Sequence, residues 1–450
     1  MSGNTQPKLS PLKMGIMGLQ HMFAMFGATI LVPLLTGLSV QVTLIAVGVG
    51  TLIFHFFAKS RVPAFLGSSF AFMVGINLIT DPNGGLFSYR FSEGMSSAEH
   101  VQAILPYATG GILVSGLLYL LFALMVKVVG VKRFMKFLPP VVTAPTVILI
   151  GIMLAPFAIN QARSHMPIAI LTLVIVIVAS TWGKGMIKII PILLGLGGAY
   201  LIALLGTQIF GWEIFNNATQ TYEPLVNFAA AEGAGIFGLP PFMMPRFNIF
   251  AILVMIPFAL ATIAEHVGDM VALGSITGEN FVEDPGLSRT LIGDGVASMF
   301  SGFIGGPAST TYGENVGVVA LTRVFNPRVV QIAAIYAVIL GFSPLFEVVI
   351  RSIPDAIIGG ASFMLYGMIA AVGIRNLVES RTDMSKTKNL TIVAVMMVTG
   401  LGLRFGQPIF FEIGGTNVPI DRMGVAIAVI LGVILNAVLP NEKTASKEEK

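Results

Sequence analysis

The sequence predicts an all-α polytopic membrane protein: fourteen transmembrane segments in two inverted seven-segment repeats, with two short antiparallel strands where segments 3 and 10 are broken. Three observations carry that prediction. The 450 residues are 55% hydrophobic and only 11% charged, with a mean hydropathy of +0.87, far from the balance of a water-soluble domain. Apolar runs of about 20 residues, enough to cross a bilayer, recur along the chain. Two stretches, 64–80 and 310–323, are too short or too polar to be simple spans and sit at corresponding places in the two halves. Composition also narrows function. The 50 glycines and 25 prolines suit helices that approach closely and break. With no cysteine there is no disulfide, thiolate metal site or cysteine nucleophile. The net charge of +4 is scattered over segment ends, so nucleic acid is not an expected partner. No phosphate-binding GxxxxGK[ST] run supports ATP-driven work.

In order, full spans are expected over 14–36, 40–58, 101–126, 138–158, 167–182 and 187–210, then 248–276, 288–304, 327–350, 354–373, 389–404 and 421–439. The two short pieces raise the number to fourteen. No cleavage pattern follows the first apolar run, so it is expected to stay as an anchor. With the N-terminus in the cytoplasm, most of the 26 basic residues fall on inside loops, among them Lys59, Arg61, Lys184, Lys188, Arg375 and Arg381. The positive-inside rule then puts both termini in the cytoplasm, as an even span number requires. The longer loops 81–100 and 211–246 fall outside, His100 and His165 read as loop residues, and His55 reads as packed or interfacial. Seven segments per half make the repeats inverted.

The run GGPASTTYGENVGVVALTR, from Gly305 to Arg323, is costly to bury unless it lines a polar cavity. Its counterpart is FLGSSFAFMVG, around Ser68, Ser69 and Phe70. If both lead as extended pieces into half-helices and pair with each other, they satisfy backbone groups that lipid cannot, and they aim helix N-termini at the centre. The bland alternative makes Ser68, Ser69, Thr310 and Thr311 small packing residues. Glu265, His266 and Asp269 crowd one apolar segment, as Gln20-His21 marks segment one. Glu265 and Asp269 lie one turn apart. One histidine and two carboxylates form no strong metal signature, and no metal or other cofactor is expected. Titrating acids in a low-dielectric site suit a proton-coupled carrier better. Asp294 is either a helix-end residue or a partner behind the site. Arg323 is expected to cap the second half-helix.

LQHMFAMFGATILVP, VPAFLGSSFAF, IAEHVG and TTYGENVGVVALTR together resemble the nucleobase–ascorbate transporters, most closely their bacterial uracil permeases. The resemblance implies a core domain (14–128 and 247–350) moving against a gate domain (138–210 and 354–440) in a homodimeric, multi-pass protein of the inner membrane. By resemblance, Glu265 and Glu314 hold uracil, backbone at Phe70 and Gly313 donates to it, and Tyr312, Ala28 and His21 complete the pocket. Glu265, Asp269 and His21 are implied in proton coupling, with Gln20, His266, Asn315, Thr322 and Arg323 in support. The implied function is uracil import by proton symport, a transporter and not an enzyme. Where uracil carriers have histidine four residues after the first glutamate, this chain has Asp269, as in many purine carriers. A xanthine or urate carrier is therefore the alternative, and an anion exchanger of the same broad fold a further one.

Overall fold

The computed structural model describes residues 10–82, 85–88, 95–134, 139–216, 221–228, 233–311, 313–407, 409–413 and 416–440. Helices dominate them. The first half holds α1 (Pro11–Thr36), α2 (Val40–Phe57), α3 (Phe70–Thr80), α4 (Ser97–Val129), α5 (Val131–Phe134), α6 (Pro140–Ala162), α7 (Met166–Thr181), α8 (Met186–Ile189) and α9 (Pro191–Phe210). The second holds α10 (Ile249–Thr277), α11 (Leu287–Ile304), α12 (Gly313–Thr322), α13 (Pro327–Gly341), α14 (Pro344–Arg351), α15 (Asp355–Glu379), α16 (Thr387–Phe405) and α17 (Gly424–Val438). Helix ends follow local chemistry. Ser10 caps α1, Pro11 fits its first turn, and Gly37 closes it in the left-handed region at φ 79°, its N–H returning to Pro33 O. Ser96 and Glu99 form a reciprocal capping box at the start of α4.

Among the described residues, eight helices are long and apolar enough to cross a membrane, or nine if the bent pair α13–α14 is one span; α3, α7 and α17 are shorter apolar helices. The expected span over 327–350 is thus sharply bent, as two helices meeting at 87°. Pro344 cannot extend α13, and Ser343 caps α14 by accepting from the Phe346 N–H at 3.3 Å. The span expected over 187–210 is divided in the same way, because Pro191 starts α9 afresh after the short α8. His100 is not a loop residue, as expected, but is buried in the first turn of α4. His165 is the N-cap of α7, and His55 is packed, 3.1 Å from Ala64 O.

The helices pack in two sets. α11 lies on α2 and α4, α13 on α1 and α2, and α10 on α4 and α3; α6 lies on α15, α16 and α17, and α7 on α9 and α15. Glycine sets the closeness of the tightest pairs. A Cβ at Gly295 of α11 would stand 2.9 Å from Gly116 O of α4, and one at Gly151 of α6 2.7 Å from Tyr366 O of α15.

Three two-stranded ladders accompany the helices among the described residues. β1 (Gly67–Ser68) pairs with β4 (Ser309–Thr310), as the sequence suggested, while β2 (Glu213–Asn216) with β3 (Thr221–Pro224), and β5 (Phe410–Ile413) with β6 (Thr416–Pro419), are local hairpins that it did not.

Candidate functional site

The site is built outward from the β1–β4 pair. Gly67 faces Thr310 and Ser68 faces Ser309 in antiparallel register, and the Ser69 N–H donates to Ala308 O at 3.0 Å. Hydroxyls fix this short ladder to its surroundings. Ser68 donates to Thr29 O at 3.0 Å, Ser298 to Ser309 O at 2.8 Å, and Thr51 accepts from the Leu66 N–H at 2.9 Å. Ser301 donates to the Pro307 carbonyl. The Ser68 hydroxyl thus holds the strand in place and does more than fill space. Beyond the strands, α3 starts at Phe70 and α12 at Gly313. Ser69 caps α3 without a side-chain hydrogen bond, so the first N–H groups of that half-helix remain as donors for a ligand.

Against these helix starts lies a cavity of about 180 Å³. One wall is Ser69, Phe70, Ala71, Ala261, Glu265, Thr310 and Gly313; the other is Val147 and Ile150 of α6 with Met368, Ile369, Val372 and Arg375 of α15. The first wall carries the Ser69 and Thr310 hydroxyls and the Glu265 carboxylate, and the second is apolar apart from Arg375. Thr310 is 1% exposed and its hydroxyl has no hydrogen-bond partner within the protein. A Cβ at Gly313 would meet nothing within 4 Å, so backbone there is open to a ligand. A carboxylate, a hydroxyl and helix N–H groups on one side, with apolar side chains and Arg375 opposite, complement a small planar molecule that carries both donors and acceptors.

Behind the polar wall sits a network between α10 and α11. The fully buried His266 donates from Nδ1 to Asp294 Oδ2 at 2.9 Å, with Thr311 Oγ1 also at 2.9 Å, and its Nε2 lies 2.9 Å from Thr290 Oγ1. The Thr311 N–H donates to the same Asp294 oxygen at 3.2 Å. Asp294 is therefore the partner behind the site, and it holds the backbone where β4 runs toward α12. Thr311 is likewise a member of this network.

The other expected residues fall in distinct places. Asp269 is 7% exposed and lies one turn beyond Glu265, off the cavity wall. His21 is buried, with Nε2 3.5 Å from Thr322 Oγ1, and Gln20 Nε2 contacts Met186 Sδ. Asn315 is 1% exposed, and neither its side-chain oxygen nor its nitrogen has a hydrogen-bond partner within the protein. Arg323 follows α12 with φ 52°, its N–H closing the last turn on Val319 O at 2.9 Å. Tyr312 and the side chains of Ala28 and Glu314 lie outside the described residues; Ala28 belongs to α1 and Glu314 to α12. Arg375 was expected on an inside loop, but α15 runs on to Glu379 and brings it to the cavity. The absence of any breaker after Gly373 was the available signal. Val147, Ile150 and Met368 carried none, because an apolar cavity wall reads like a lipid-facing one.

A pocket with polar groups at the starts of two short helices, inside an apolar multi-helix bundle, is that of an integral, multi-pass membrane transporter. Residues 12–409 match the model of the Permease family, that of the nucleobase–ascorbate transporters, and the chain belongs to this family. It is 38% identical to the "Uracil permease" of Bacillus subtilis (strain 168), covering 94% of this chain and 92% of that protein. It is 35% identical to the "Probable uracil permease" of Haemophilus influenzae, covering 96% of each, and 36% identical to the "Putative pyrimidine permease RutG" of Escherichia coli (strain K12), covering 94% and 89%. Among solved structures, the transmembrane domain of the cyanobacterial bicarbonate transporter BicA aligns with TM-score 0.56 at 15% identity over 96% of this chain and 98% of that one. The overall structure of SLC26A9 aligns with TM-score 0.60 at 13% identity over 94% and 64%. These two share the fold.

Proposed function

We propose that the protein imports uracil by proton symport across the inner membrane, both termini lying in the cytoplasm. The observation that carries this reading is Glu265 beside the open starts of α3 and α12 in a cavity of about 180 Å³. Uracil is a small plane with ring N–H donors and carbonyl acceptors. A carboxylate accepts from the former and helix N–H groups donate to the latter, so an analogue lacking either leaves buried groups unpaired. Glu314, Gly313, Phe70, Tyr312 and Ala28 complete the uracil site in this reading, and Glu265, Asp269 and His21 carry the proton. The similarity to proteins named uracil permeases supports the substrate.

The fourteen-segment, inverted-repeat organisation belongs to the same proposal, α3 and α12 being the broken segments. The core is α1–α4 with α10–α14 and the gate is α6–α9 with α15–α17; the two packing sets support that division. Alternating access is movement of the core against the gate, in a homodimer. The runner-up is a xanthine or urate carrier, favoured by Asp269 alone. An anion site is disfavoured by Glu265, which would repel its ligand.

The test is uptake of labelled uracil into proteoliposomes. Uptake driven by an inward proton gradient, abolished by a protonophore and competed by uracil but not by xanthine or urate, is expected. Competition by xanthine with none by uracil transfers the site to purines, and uptake that follows sodium at fixed pH overturns the coupling ion.

A further inference from the structure

The seam between α3 and α6 continues past the cavity. Beyond Phe70, α3 presents Val74 and, a turn on, Asn77 and Leu78, with its C-cap Asp81 a turn further, and beyond Ile150, α6 presents Met153 and Phe157. With Arg404 they enclose a second space of only about 10 Å³, room for no more than about one water. The wide end of the seam is the site and the narrow end is closed.

Asp81 and Arg404 are the charged residues in that narrow lining, and they come from opposite sides of it. α3 packs on α4 and α10, whereas α16 packs on α17 and α6. Asp81 follows the C-terminus of α3 as its cap residue, where the helix dipole disfavours a negative charge. Arg404 stands in the last turn of α16, where a positive charge is favoured. A half-buried carboxylate in that position, beside Leu78, Met153 and Phe157, is favoured by a cation opposite. His100, buried in the first turn of α4, is also within electrostatic reach of Asp81.

We propose that Asp81 and Arg404 are a positioning pair for transport, closing the outer route between α3 and α6 while the site faces the cytoplasm and parting when substrate enters. The proposal rests on the transporter reading, with α3 and α16 on bodies that move relative to each other. Such a pair suits a reversible closure. Half-buried in the closed seam, the two charges attract; opened, each is fully hydrated, so the net difference between the states stays small.

The chain contains no cysteine, so Leu78→Cys gives a single reporter in the seam, with Asn77→Cys as a second in case the first fails to fold. Labelling of intact cells by a membrane-impermeant maleimide is expected to be slow in either reporter. It should rise about tenfold with Asp81→Asn or Arg404→Gln and return to the slow rate in the charge-swapped Asp81→Arg/Arg404→Asp chain, with His100→Gln unchanged. Single variants that label at the parental rate overturn the pair. So does a swap that fails to restore it, or a His100→Gln rate as fast as that of Arg404→Gln. Labelling needs no substrate, so a failure of the uracil reading, seen as absent uptake, is distinguished from a failure of the Asp81–Arg404 pair.

Discussion

Removing Asp294 should loosen the strand end on which the site is built. Its Oδ2 accepts from His266 Nδ1 at 2.9 Å and from the Thr311 N–H at 3.2 Å, with both side chains fully buried in the His–Asp pair. In Asp294→Asn an amide oxygen still accepts, but both bonds fall from the charge-assisted range of about 1.5–3 kcal/mol to the neutral range of about 0.5–1.5 kcal/mol. The expected loss is about 2 kcal/mol for the two together. Asp294→Ala leaves the Thr311 N–H without an acceptor and His266 Nδ1 with the Thr311 hydroxyl alone, and a buried donor left unsatisfied costs about 1–3 kcal/mol beyond the bonds lost. Thermal unfolding in detergent should therefore rank parent above Asn above Ala. Uracil affinity by calorimetry should fall in the same order, because Thr311 stands between β4 and the start of α12. A double-mutant cycle with His266→Ala should give a coupling of about 1 kcal/mol or more. An Asp294→Ala protein with parental melting and affinity would refute the role assigned to the network.

Other substitutions probe the site and the packing. Glu265→Gln and Glu314→Gln should each weaken uracil binding by about ten- to a hundredfold, the value of a charge-assisted bond to a ring N–H; unchanged affinity in both removes the carboxylates from the site. Asp269→Asn should preserve much of the binding while altering the pH profile of uptake, and accumulation with the parental profile would make Asp269 a structural residue. Gly295→Ala places a Cβ 2.7 Å from that of Tyr119 and 2.9 Å from Gly116 O, which should cost about 1–3 kcal/mol and lower the melting temperature; a parental melting curve would show that α4 and α11 separate freely.

Much of the fold was legible because the bilayer makes span length a strong signal, and Pro, Gly and Ser mark the ends. The β1–β4 pairing was legible for a related reason: extended backbone in an apolar chain needs a partner, and the two polar stretches had only each other. What sequence could not give was side-chain partnership across helices. His266 and Asp294 have no helical spacing that relates them, and Asp294 alone in an apolar run fits a helix end equally well. The 87° turn between α13 and α14 was missed because the stretch is apolar enough overall to read as one span, although Ser343 before Pro344 marks a new helix start. His100 was misplaced because the capping box that brings α4 forward to Ser97 begins among polar residues.

The β1–β4 ladder also bears on how the protein is made. Its strands come from opposite halves, so when the first half leaves the ribosome the backbone before α3 has no ladder to join. That segment must wait, sheltered by neighbouring helices or by the insertion machinery, until β4 is synthesised. The candidate site is then among the last features to form, and neither half expressed alone contains both of its strands. Co-expressed halves, split in the stretch between β3 and α10, should recover uracil binding only when both are present, which makes ligand binding a direct report on completed assembly.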